Sequence, residues 1–310
     1  MDQASKLNHP WLVAVWPGMG HVAISAGYYL MAKLDMHLLA EFSPRELFDF
    51  EHIQVKDGLI RTAGLPRSRF FVWLDPKKRR DLVVFIGEAQ PPRGKYAFCC
   101  KLIEYARSLG VERLFTFAAM ASKMHPSHTP RVFGAATSPE NLSELRSLEL
   151  EILENGHISG LNGLLIGAAS DLGMSGVCLL GEMPHVFAHL AFPKASLAVL
   201  EAFTALVGVD VDLSELEDQS RVADKELGEL LSKVERAISG HETEGDEEGE
   251  MELGLQRGLS PWDEQNLERL FEEARHDRSK AYELKSELDR LNVFAEYEER
   301  FLDLFKKPEA

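Results

Sequence analysis

Along residues 11–210, short apolar runs alternate with segments of helical periodicity. Trp11–Trp16 is uninterrupted and apolar. It stops at Pro17, and Gly18 and Gly20 lead into His21–Leu34, where apolar residues recur at helical spacing. Met36–Phe42, Phe70–Leu74, Leu82–Ile86, Leu114–Ala118, Arg131–Thr137 and Val177–Leu180 predict further strands. Leu82–Ile86, nearly all β-branched or aromatic, reads as a central strand buried on both faces. Helices are predicted over Lys95–Leu109, which Gly110 ends, after the cap Ser138-Pro139-Glu140, over Gly160–Leu172 and over Pro193–Val207. Lys56-Asp57-Gly58 carries an Asp-Gly hairpin signal between Phe50–Val55 and Ile60–Thr62. This alternation predicts an α/β fold, a three-layer α/β/α sandwich around a mixed, largely parallel sheet, with the hairpin as an antiparallel portion.

After residue 210 the pattern changes. Ser214-x-x-Glu217 reads as a capping box, and Leu216, Ala223, Leu227, Leu230, Leu231, Val234 and Ile238 follow as one apolar stripe. Ser239–Gly258 contains GHETEGDEEGE, too acidic and glycine-rich to bury a core, and predicts a disordered linker. Ser260-Pro261 opens another helix, with Asp263 in its first turn. From Leu267 the apolar residues fall near heptad spacing to Phe305, interrupted at Asp277 and Glu298. The expected organisation is a core over 1–210, a helix over 211–238, a linker over 239–259 and one long C-terminal helix over 260–310. That helix either folds back on its own domain or on the preceding helix, or makes a coiled-coil contact between subunits or with a partner.

The net charge of −16 argues against a general nucleic-acid or anionic-membrane surface. The dense basic cluster Lys77–Arg80 follows Asp75-Pro76 and reads as the cap of an exposed turn. Three cysteines, the neighbours Cys99 and Cys100 in a predicted helix and Cys178 in an apolar strand, make no disulfide framework and fit a reducing cytoplasm. No signal-peptide pattern opens the chain, and no apolar run reaches the roughly 18–20 residues of a spanning helix.

Gly18-Met19-Gly20-His21-Val22-Ala23 matches a G-x-G-x-x-A turn, with Glu41 near the place of a ribose-binding acid. Glu88 and Gln90 follow a central strand, Glu182 follows Gly181, and Asn162 lies in a glycine-rich helix start. With Gly18, Met19, Gly20 and His21 they form the candidate ligand-binding set. The competing reading makes them loop hydrogen bonds that hold glycine turns. His125 and His128 sit in a proline-broken loop, and His185 and His189, four apart, lack the Glu of H-E-x-x-H, so no metal or cofactor is expected. Ser122 and Ser170 have no base partner, no G-x-S-x-G elbow occurs, and no catalytic residue is assigned.

Together, WPGMGHVAISAGYYLMAKL, VKDGLI, DLVVFIGEAQPP, YAFCCKLIEYARSLGVERLFTF, RVFGAAT, ISGLNGLLIGAASDLGMSGVCLLGEMP and FPKASLAVLEAFTALVGVDVDLSELE resemble the proteasome assembly chaperone 2 family over roughly residues 11–220. The resemblance implies a phosphorylase-like sandwich, homo-oligomerisation and protein partners such as proteasome α subunits. It also accounts for the Gly18–Gly20 turn without a dinucleotide. Some archaeal members end in a hydrophobic–Tyr–any motif that docks between α subunits, whereas this sequence closes on Lys306-Lys307-Pro308-Glu309-Ala310. The expectation is a non-catalytic assembly or interaction factor. The alternative is a phosphorylase-like enzyme binding a nucleotide or small molecule at Gly18–Gly20.

Overall fold

A computed structural model describes residues 7–49, 53–56, 58–62, 64–239, 259, 261–291 and 293–306. The strands are β1 (Trp11–Val15), β2 (His37–Phe42), β3 (Ile53–Lys56), β4 (Leu59–Thr62), β5 (Ser68–Trp73), β6 (Leu82–Gly87), β7 (Arg113–Ser122), β8 (Val132–Ala136), β9 (Glu151–Ile152) and β10 (Ser175–Pro184). The helices are α1 (Val22–Lys33), α2 (Lys95–Ser108), α3 (Pro139–Ser147), α4 (Gly160–Asp171), α5 (Pro193–Val207), α6 (Ser214–Ser239), α7 (Pro261–His276), α8 (Ala281–Arg290) and α9 (Phe294–Asp303).

Eight strands form one sheet in the order β2-β5-β6-β1-β7-β10-β8-β9. Its centre, β6-β1-β7-β10, is parallel, while β2 and β5 on one side and β8 on the other pair antiparallel. Strands β1 and β6 carry no polar side chain because both faces are covered. Along β1, Trp11, Val13 and Val15 enter one core with α1 and α5, while Leu12 and Ala14 enter the other with α2 and α4. The same alternation sends Val84 and Ile86 one way and Val83 and Phe85 the other. Helix α1 lies close on the sheet at Gly27, where an added Cβ would come 2.5 Å from Val15 Cγ2.

Helix α1 is buried on nearly all sides, from Val22 to Ala32 with only Ser25 half-buried. A helix apolar all round needs a second cover. The cover is α7–α9, whose Leu267, Phe271, Tyr282, Leu288, Phe301 and Phe305 join the α1 core. Three helices stand where the sequence predicts one. Asp277 ends the first by accepting from Ser279 N (3.0 Å) in a short 3-10 turn, and α8 closes at Arg290 before α9 begins. The heptad seam therefore folds back on its own domain. The expected acidic linker lies almost wholly outside the described residues, as do Ser260 and the last four residues.

Other expectations shift locally. β3 and β4 form a separate two-stranded sheet, so the antiparallel part of the main sheet comes from β2, β5 and β8 instead. Asp57 lies outside the described residues. At α6, Ser214 is already helical, and Asp212 Oδ1 takes its amide (3.0 Å), so the expected capping box is displaced by one Asp. Ser138 does cap α3, its Oγ accepting from Asn141 N at 3.3 Å.

Candidate functional site

The carboxyl ends of β1, β6, β7 and β10 form the rim where open α/β sheets commonly hold ligands. The Gly18–His21 turn is there, but its geometry differs from a dinucleotide cradle. Gly20 N donates to Ala188 O (2.9 Å), His21 N to Gly18 O (3.0 Å), and Phe192 N to Gly20 O (3.0 Å). The turn is thus stitched to the segment after β10. Gly20 has φ +62°, and a Cβ there would come 2.5 Å from Met183 Sδ, so the space beside the turn is filled. Glu41 is equally misplaced for a ribose. β2 pairs with β5 at the sheet edge, three strands from β1, where a dinucleotide fold sets its second strand beside the first.

The other candidates separate across the sheet. Glu88 lies on the α1 side, accepting from Arg67 N (2.6 Å) and from Arg69 Nη1 (3.1 Å). Burial raises its carboxyl above the ordinary value against the pull of both arginines. Gln90 lies on the α4 side, where its Oε1 takes Leu161 N (3.2 Å) at the start of α4. Asn162 is buried in the same turn. Glu182 belongs to Arg131, which reaches it through Nη2 (2.8 Å) and Nε (2.9 Å) and holds its carboxyl down at about 2. His21 keeps an exposed edge, and partial burial lowers its imidazole, with Asp289 opposing and Lys285 reinforcing.

The histidine pairs stay apart from metal geometry. His185 lies in a 3-10 turn that ends before His189, and its Nδ1 meets Ser122 O at 2.9 Å. Among the described residues no group of three or more His, Cys, Asp or Glu is placed to hold a metal. Cys99 and Cys178 are buried thiols pushed up to about 12 by desolvation, far from nucleophilic at neutral pH. No described helix is long and apolar enough to cross a membrane.

Sequence reasoning missed a second cluster on the α1 side. Arg69, 1% exposed, sits inside β5 with Glu88 and, 3.7 Å from its Nε, Glu41. The Tyr28 hydroxyl donates to Glu298 Oε1 of α9 (2.7 Å). Lys285 of α8, 4% exposed, pairs with Asp289 and lies 3.9 Å from the Phe294 ring centre. One signal was available: Lys285 occupies an apolar position in the Ala281, Leu284, Leu288 stripe.

Beside the exposed histidines His21, His185 and His189, the rim also shows apolar side chains to solvent. Met19, Val186 and Leu190 are 40%, 56% and 44% exposed on the two stitched segments. The geometry thus defines an α/β/α scaffold with a filled turn, a rim displaying apolar side chains and a C-terminal helical layer.

The PAC2 family model matches residues 12–231, and the chain belongs to the PAC2 family. It is similar to Pyrococcus furiosus PbaB, an archaeal proteasome activator, at 27% identity and a TM-score of 0.62, covering 75% of this chain and 96% of that one. A PAC2 family protein from Streptomyces avermitilis matches at 25% identity and a TM-score of 0.62, over 71% of this chain and 95% of its own. An uncharacterised protein of Methanocaldococcus jannaschii is 27% identical over 237 residues, 74% of this chain and 84% of its own.

Proposed function

We propose that this protein is a non-catalytic assembly or interaction factor that acts as a homo-oligomer in the cytoplasm, with proteasome α subunits among its partners. One contrast at the rim carries the reading. Glu88, Gln90 and Glu182 are held by Arg67 and Arg69, by the α4 start and by Arg131, while Met19, Val186 and Leu190 face solvent. Bound carboxylates and a filled turn are poor catalytic equipment, and clustered exposed apolar side chains mark protein contacts. The β3–β4 hairpin adds Ile53, Val55 and Ile60, each more than half exposed. Three free thiols suit a reducing compartment. The likeness to a proteasome activator supports the partner class.

The test is affinity capture of the tagged full chain from its host, beside a Val186→Asp/Leu190→Asp variant of matched melting temperature. Stoichiometric α subunits with the native chain, lost with the variant, support the proposal. Equal recovery with both, or recovery of the chain alone, overturns it.

A further inference from the structure

Helix α5 carries alanines along one side, and nothing large stands over them. Ala198, Ala202 and Ala205 recur at helical spacing; with Val132 of β8 and Leu148 and Leu150 of the α3–β9 turn they wall a groove of about 390 Å3. A second concavity, of about 680 Å3 and lined by Gly208–Leu213, meets the first at Glu201 and Ala205. From Ala198 to Val207 the helix runs about 14 Å, the span of roughly four residues of extended chain. A trench of that length suits a peptide segment better than a compact metabolite.

Its walls are acidic. Glu149 and Glu151 stand on the turn side, Glu201 on α5, and Asp210 and Asp212 at the far end. Among the described lining residues Arg131 is the one cation, and it is already engaged, by Glu182 at 2.8 Å and Glu151 at 3.3 Å. Lys77 comes only within 3.9 Å of Asp210, with both side chains exposed. Glu149 and Glu201 form no ion pair among the described residues. Burial, reinforced by Glu217, raises the Glu201 carboxyl, a penalty that a bound cation would relieve.

Glu149 is also held at a conformational cost. It follows α3 with φ +58°, while its N donates to Arg146 O (3.0 Å) and Leu150 N to Leu145 O (3.2 Å). This is the helix-ending turn whose left-handed position is normally glycine. A charged side chain stands there against backbone preference, and it puts a carboxylate on the groove wall.

We propose that this groove docks a basic, aliphatic peptide segment of a partner protein. Its lysine or arginine side chains meet Glu149, Glu201 and the Asp210–Asp212 end, while an aliphatic side chain rests on the alanines of α5. Charge complementarity names the occupant: five carboxylates beside one engaged arginine select cations, and an alanine floor lets a chain lie close. The site excludes Met19, Val186 and Leu190, so it stands or falls separately from the function proposed above.

The experiment measures fluorescence polarisation of the purified full chain with an oriented library of eight-residue peptides. In each, lysine or arginine flanks a variable aliphatic position, and a matched library carries glutamate instead. Members of the basic library should bind, more weakly as salt is added, and the glutamate library should not. Glu149→Lys/Glu201→Lys should lower the affinity ten-fold or more. Ala205→Trp, at an exposed position, should do the same by filling the trench while the melting temperature stays native. Val186→Asp/Leu190→Asp should leave peptide binding unchanged. Equal binding of both libraries, or of neither, overturns the proposal. So does binding that survives Ala205→Trp, which would put the cations on the open surface. A fall in native mass by light scattering in Ala205→Trp would assign the groove to a second copy and overturn it equally.

Discussion

The acid at Glu298 makes stability depend on pH in a way that can be isolated. Burial pushes its carboxyl up from an ordinary value near 4.5 to about 7. Glu88 reinforces the rise, while the Tyr28 hydroxyl, Lys285 and Arg69 oppose it. The native chain therefore keeps this proton up to about pH 7, whereas the unfolded chain releases it near 4.5. A native group that titrates higher than its unfolded form contributes stability that is full below the lower value and is lost as pH rises through the higher one. A separation of about 2.5 pH units corresponds to ~3 kcal/mol, lost at ~1.4 kcal/mol per pH unit. Urea denaturation of the native chain and of Glu298→Gln at pH 5, 6, 7 and 8 measures it. Glutamine keeps an acceptor for Tyr28 but has no proton to lose, and the remaining groups are common to both chains. Native minus variant stability should fall steadily from pH 5 to 7 and then level off. A difference that stays constant from pH 5 to 8 would refute the buried-acid argument.

Other substitutions probe the rim and the cluster. Gly20→Ala forces a side chain into left-handed backbone against Met183 and should cost about 2–3 kcal/mol in urea melts. Gly18→Ala, in extended backbone with open space beside it, should cost almost nothing. Equal losses at both would mean that the turn is held for another reason. Lys285→Met should leave stability unchanged or raise it, because a buried ammonium gives way to an apolar chain while Asp289 keeps access to water. It should also move the Glu298 titration higher by removing an attractive charge, and a loss above about 2 kcal/mol would sink that view. Glu182, held down by Arg131, contributes stability present above pH 4.5 and lost as pH falls towards 2. Native and Glu182→Gln melts should therefore converge over that acid range.

The sheet was legible because its central strands are buried on both faces and so appear as plain apolar runs. β1 and β6 were visible on that ground alone. Strand order was not, since nothing in Met36–Phe42 distinguishes a neighbour of β1 from an edge strand three places away. The G-x-G-x-x-A match misleads for the same reason. The local turn is present, but the pairing that would bring Glu41 to it belongs to the whole sheet. β9, two residues long, is below any periodicity. Arg69 escaped because a charge inside a strand reads as its end, and its partner Glu88 lies nineteen residues on.

The interruptions of the C-terminal seam held more information than the seam. Asp277 and Glu298 break the heptad pattern, and an intermolecular coiled coil would have to tolerate both. In the folded chain each has a specific role. Asp277 ends α7 by capping the next turn, and Glu298 sits against Tyr28. Helix α1 supplies the complementary clue, since Val22–Ala32 is too apolar all round for one sheet to cover. A helix lacking a polar face and a distant stripe lacking a partner are two halves of one contact. The charges inside that contact make it weaker than an apolar seam of the same area.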